Sequence, residues 1–396
     1  MVPFLRKAYN SFFTAEKYQK FLSDLDARYP GAITFRIAET PIFIPKEFAA
    51  KMMEVCERII DLIRDPEFRT WTNAAVPLED SVGGDYGFPQ TIAFDFGICQ
   101  EEQGTLAPQL IEMQGFPSLY GFQVYYSELL KHHFPVPENF SQYLGGLDKI
   151  EFEHLFRDTL LGDLAPESVI LLEIKPDEQK TRIDFYCTRD ITGIEPVCIT
   201  ELIQEGNQLF YLKNGIKIRI LRIYNRVIFN ELNTRKDLGK IVDIRQDFDV
   251  HWVPHPDWFY RISKYTLPFI HHPNVPETFF LNEVKQMPGD LNNYVLKPLF
   301  SFAGQGVIID LTAKDIEQVQ DPENWILQRK VNYADVIQTP ADPAKAEIRI
   351  MYLWKEGEHR PVPSINLARL SKGKMIGVRY NQEKEWVGGS IAFFER

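Results

Sequence analysis

A strand-like run, YVLK, stops at Lys297 and Pro298, enters the small-residue loop LFSFAGQG, and returns as VIID. A lysine at a strand end, beside a loop with Gly304 and Gly306, suits a polyphosphate, because exposed N–H groups in such a loop form an anion-binding concavity. The glycines let that backbone approach a ligand closely. The segment is not a P-loop, since GxxxxGK followed by Ser or Thr is absent. Read alone, it is equally an ordinary hairpin with a snorkelling lysine.

A polyphosphate site needs somewhere to hold magnesium, which takes hard oxygen ligands, usually carboxylates. The residues after Lys297 do not offer an obvious set, but a segment far upstream does. TIAFDFGICQEEQGTLAPQLIEMQGFPSL, from Thr91 to Leu119, alternates apolar and polar residues on both sides of a polar turn, as two antiparallel strands would. Asp95 falls on the first strand, with Glu112 and Gln114 two apart on the second, so all three oxygens are expected on one face. Like charges buried on a strand face are costly without a cation. The alternative is a solvated face.

Elsewhere the chain reads as a mixed α and β protein. IPKEFAAKMMEVCERIIDLIR carries Phe48, Met52, Val55, Ile59, Ile60 and Ile63 at helical spacing, and VYYSELLKHHF reads as a second helix. From about Gly146 to His251, ESVILLEI, RIDFYCT, PVCITEL and KIRILRIYNRVIFNEL alternate strands and helices, which suggests a small parallel or mixed sheet. After the proline-rich VPHPDW, a third unit offers NYVLKPL, GVIIDL, NWILQRKV, AEIRIMYLW and KMIGVRY as strands. NWILQRKV puts Gln328 at a strand end, and AEIRIMYLW puts Glu347 and Arg349 on one face. Arg369, Arg379 and Asn381 follow before the Gly388-Gly389 pair. A single arginine is usually a solvated salt bridge, whereas three converging on a transferred phosphate would be a site.

Taken together, these motifs resemble those of the ATP-grasp superfamily of carboxylate-amine and carboxylate-thiol ligases. VLKPLFSFAGQGV, WILQRKV, EIR, NLARLSKG and VRYNQEKEWVGG follow that family's order, while AFDFG and LIEMQGFPSL, which would normally come last, stand near the N-terminus. A circular permutation would produce that arrangement, and it is similar to the permuted ATP-grasp domain of the glutathionylspermidine synthetases. The resemblance implies an α+β fold: a permuted ATP-grasp core whose helices and metal-binding strands occupy 1–145, a small α/β substrate-binding domain at 146–255, and a nucleotide-binding portion at 256–396. It implies that Lys264 and Lys297 contact ATP phosphates, and that the loop holding Ser301, Gly304, Gln305 and Gly306 closes over them. Gln328 would lie at the adenine hinge, and Asp95, Glu112 and Gln114 would bind one or two Mg2+ ions. Arg349, Arg369, Arg379 and Asn381 would face the transferred phosphoryl group and the activated substrate. Two positions depart from the family pattern: Gln114 replaces the usual Asn, and Arg329 stands where many relatives have a hinge glutamate.

The reaction expected by resemblance is ATP-dependent joining of a small-molecule or peptide carboxylate to an amine, or to a thiol, through an acyl phosphate. Its competitors are an ATP-grasp phosphotransferase acting on a hydroxyl and a non-catalytic ATP-binding regulator. The net charge of -11 argues against nucleic acid or an anionic membrane as partner. Four cysteines without CxxC spacing are expected as buried thiols, and His271 and His272 as loop residues. The start, MVPFLRKAYNSFF, lacks an apolar h-region, so a cytoplasmic location is expected. The oligomeric state is left open.

Overall fold

The apolar stripe of IPKEFAAKMMEVCERIIDLIR becomes a helix at Lys46–Arg64, with Phe48, Met52, Val55, Cys56, Ile59, Ile60 and Ile63 all buried. Residues three and four apart fall on one side of such a helix, so the stripe must be covered by something apolar. It packs on one face of a five-stranded antiparallel sheet, where Phe94, Phe96, Leu110, Met113, Ile348, Ile350, Ala368 and Leu370 complete the core. The computed structural model describes residues 2–84, 87–101, 104–301, 304–373, 376 and 383–396.

This sheet sets the architecture. Its order is Gly388–Ser390, Val362–Ser371, Lys345–Leu353, Thr91–Gln100 and Leu106–Gln114. The upstream hairpin therefore pairs with strands from the last part of the chain. A parallel pairing of Ile42–Ile44 with Ala392–Glu395 joins the two regions again.

Between Val169 and Val253 a second sheet has four parallel strands in the order His251–Val253, Arg222–Asn225, Val169–Glu173, Glu195–Cys198. RIDFYCT lies in its crossover helix, Arg182–Thr192. The run KIRILRIYN divides at Leu221. Ile216–Ile220 joins a separate antiparallel sheet with Gln208–Lys213 and Ile203–Glu205, while Arg222–Asn225 enters the parallel one.

The third unit contributes a small antiparallel sheet in the order Thr278–Phe280, Trp325–Arg329, Tyr294–Pro298. Two expectations change here. GVIIDL does not form a ladder, because Ile308 makes a single bridge to Leu296 and the chain then turns away. AEIRIMYLW belongs to the five-stranded sheet instead. Most of KMIGVRY lies outside the described residues. All four cysteines are buried and free. Among the described residues, no helix is long and apolar enough to cross a membrane.

Candidate functional site

Side chains alternate along a strand, so a register decides which residues share a face. Asp95 stands opposite Arg349 on one neighbour and Glu112 on the other, and Glu347 stands opposite both Gly97 and Arg369. A β-bulge makes the Glu112 pairing possible. Leu110 pairs with Phe96, yet Glu112, two residues on, pairs with the next residue, Asp95, leaving Ile111 as the extra residue. Without that insertion Asp95 would face Ile111, and Glu112 would point into the core under the long helix.

The resulting face is densely charged. Arg349 donates from Nε and Nη2 to the two oxygens of Asp95 at 2.6 Å each, a bidentate pair, and from Nη1 to Ser118 Oγ at 3.0 Å. Arg369 Nη2 reaches Asp95 at 3.0 Å and Glu347 at 3.2 Å. Burial pushes the Asp95 carboxyl up, but the two guanidiniums outweigh it and hold the group below the usual carboxylate range. Glu347 goes the other way: burial raises it despite Arg369 and a hydrogen bond from the Tyr333 hydroxyl.

Tyr333 reaches Glu347 because position 97 is glycine. A Cβ there would lie 2.8 Å from Tyr333 Cε1 and 3.0 Å from Ile111 Cδ1, so any side chain would displace the ring. Sequence reading gave Gly97 and Tyr333 no role. The signal available was a glycine inside an otherwise apolar strand, which marks a close approach.

Lys297, Lys264 and Gln328 form the facing wall. Lys297 is buried and donates to Gln328 Oε1 at 2.5 Å and to the carbonyl of Ile111 at 3.3 Å. The bulge at Ile111 thus serves both sides. Burial brings Lys297 down to about 8, with Glu112 opposing the shift. Lys264 donates to the Ser301 carbonyl at 2.5 Å and lies 3.8 Å from Glu112. Gln328 accepts from Lys297 through Oε1 and donates from Nε2 to Thr278 Oγ1 at 3.1 Å, so both ends of its amide already have protein partners. Gly304 and Gly306 both have left-handed φ, 72° and 74°, and a Cβ on Gly306 would meet the Pro298 ring at 3.0 Å. Gln305 between them is exposed.

Gln114 shares the Asp95 face and donates to Glu112 Oε1 at 3.3 Å. Arg329 sits apart, near Tyr294 and Asp290, on a groove of about 550 Å3 whose walls include Cys99, Gln109 and Lys330. Arg226 of the parallel sheet donates to the carbonyls of Pro117 at 2.6 Å and Ser118 at 3.2 Å, which ties that sheet to the loop after Gln114. Arg222 is directed to Glu356 and the Thr159 carbonyl. Arg379 and Asn381 lie outside the described residues.

Glu112 and the Gln114 amide offer oxygens of the kind a magnesium-type cation takes, and Asp95 would add its own once released from Arg349 and Arg369. Such an ion binds through one or two carboxylates and completes its shell with water and phosphate, so Asp95, Glu112 and the Gln114 amide need not form an all-protein cage. Among the described residues no cluster of three or more His, Cys, Asp or Glu is arranged to hold a metal.

No family model matches this chain, and no curated protein matches it. Among solved structures it is similar to the apo form of a glutathione synthetase-like effector from Globodera pallida. The TM-score is 0.58 at 11% identity, covering 97% of this chain and 98% of that one. The likeness is one of fold. It spans nearly the whole of both chains, so this mixed α and β architecture is compatible with a glutathione synthetase-like fold.

Proposed function

We propose that the chain is an ATP-dependent ligase built on a circularly permuted ATP-grasp core, joining a carboxylate to an amine. The observation that supports this best is the approach of two lysines from the glycine-loop side to the carboxylate strands. Lys264 lies 3.8 Å from Glu112, and Lys297, whose ammonium the Glu112 charge favours against burial, donates to the neighbouring Ile111 carbonyl, with Asp95 paired beside Glu112. Segments 1–145 and 256–396 would form the two halves of the core, and 146–255 would receive an organic substrate.

Magnesium-bound ATP would supply the phosphoryl group that turns a substrate carboxylate into an acyl phosphate open to an amine. For such transfer, alignment and charge stabilisation carry most of the catalysis. Lys297, held by Gln328, and Lys264, held by the Ser301 carbonyl, would place positive charge on the phosphate chain. Asp95, Glu112 and Gln114 would hold the cation. Arg349 and Arg369 project from the same face and would neutralise the oxygens of the group in flight. Arg226, anchored on the loop that carries Ser118, would set the substrate unit against this face.

The test is ADP release by the purified protein with magnesium and ATP against mixtures of carboxylates and amines, with Lys297→Met as control. ADP, free phosphate and an amide are expected together. A stable phosphorylated product would mean a hydroxyl acceptor. Tight ATP binding without turnover in any mixture would make the chain a nucleotide-binding regulator, and failure to bind ATP at all would remove the reading.

A further inference from the structure

Both oxygens of Asp95 are taken. Arg349 holds them in a bidentate pair, and Arg369 adds a third charged donor. Glu112, on the next strand, accepts an amide N–H from Gln114 and stands 3.8 Å from Lys264, a looser arrangement. A divalent cation seated on Asp95 would share that carboxylate with two guanidiniums in a buried setting, where like charges repel strongly. The arginines have other partners within reach. Arg369 already contacts Glu347, whose far oxygen the Tyr333 hydroxyl occupies, and Arg349 already donates to Ser118. Arg369 Nε, buried and without a hydrogen-bond partner among the described residues, is a donor in reserve. Guanidinium forks match tetrahedral oxyanions as well as carboxylates.

We infer that Asp95 is a masked metal ligand: Arg349 and Arg369 cover it until phosphate oxygens draw their guanidiniums away, so the cation enters with the polyphosphate and not before it. Glu347, backed by Tyr333, and Ser118 are the positioning groups that keep the two arginines close while Asp95 is open. This rests on the ATP-binding reading, and goes beyond it by fixing the order in which ligands assemble.

The experiment follows Mn2+ by the loss of its free electron-paramagnetic signal, using the full chain with and without a non-hydrolysable ATP analogue. Wild type is expected to take up Mn2+ at least about tenfold more weakly without the analogue than with it, after correction for Mn2+ held by the analogue in solution. Arg349→Gln should gain about tenfold in analogue-free Mn2+ affinity, Arg369→Gln should gain less because the bidentate Arg349 pair stays, and Asp95→Asn in either background should cancel the gain. Arg369→Gln keeps the bidentate Arg349 pair and so serves if Arg349→Gln does not fold. Mn2+ uptake by wild type alone as tight as with the analogue, or no gain in a folded arginine variant, would overturn the mask and leave ATP binding intact. Failure of the analogue to bind wild type at all would instead overturn the ATP reading, and the mask with it.

Discussion

Asp95 and Glu173 are both buried carboxylates, each on a strand interior to its sheet, and the molecule treats them in opposite ways. Burial, with a smaller push from Glu231, raises Glu173, at the end of Val169–Glu173, to about 8. The cation near it, Arg226, spends Nη1 on the carbonyls of Pro117 and Ser118, and one Glu173 oxygen accepts the Ile174 amide at 2.7 Å. Asp95 is at least as buried, yet three guanidinium N–H groups keep it ionised. Burial neutralises a carboxyl unless the surroundings supply opposite charge in good geometry. Charge at Asp95 is therefore built in, whereas at Glu173 it is suppressed.

The sharpest way to break this contrast is to remove both carboxylates in turn. Asp95→Ala strands two guanidiniums beside one another and should cost ~3–5 kcal/mol in urea unfolding. Glu173→Gln should do the reverse at pH 7. The unfolded glutamate ionises near pH 4.5 and the folded one near 8, so the folded chain holds the extra proton between those values and wild-type stability falls as pH rises through that window. Removing the titration should stabilise the protein by up to ~3 kcal/mol at pH 7 and flatten its pH profile between those limits. A Glu173→Gln variant as damaged as Asp95→Ala would erase the distinction.

Lys297 extends the comparison to the opposite wall. Its ammonium is brought down from 10.5 to about 8 by burial, so nucleotide affinity should fall by as much as about tenfold per pH unit above 8, as the proton is lost. Stability has the opposite sign. The unfolded lysine keeps its proton up to 10.5, and the unfolded state therefore binds more protons between 8 and 10.5, where stability should rise with pH. Calorimetric titration and thermal unfolding across pH 7 to 10 would show both trends, and parallel trends would exclude Lys297 as their common origin. The smallest effect expected is from Gly97→Ala, which must shift the Tyr333 ring or the tip of Ile111 and should cost ~1–3 kcal/mol, with Asp95 still paired.

Strand alternation was enough to bring Asp95, Glu112 and Gln114 to one segment pair, since periodicity survives in the sequence. The bulge that makes Glu112 face with Asp95 was not legible, because the extra residue, Ile111, is as apolar as a core residue would be. Glu347 was read on the Arg349 face, but its contact with Arg369 depends on Val362–Ser371 being the next strand, a pairing that no local pattern around ARLSKG records. GVIIDL has strand composition, yet lacks a long partner edge. The commitment of Gln328 to Lys297 and Thr278 lies in cross-strand neighbours that no local pattern records.

The pairing of Thr91–Gln100 with Lys345–Leu353 also governs how this protein can be made. When the upstream hairpin leaves the ribosome, one of its edges is open, and its partner strand is roughly 250 residues away, a delay of ~10–50 s at ordinary elongation rates. During that interval the nascent chain presents Asp95 without its arginines, beside apolar strand edges of the kind that invite wrong pairing. The same carboxylate that completes the site thus acts, in the unfinished chain, as a charge that discourages association until Arg349 arrives to meet it.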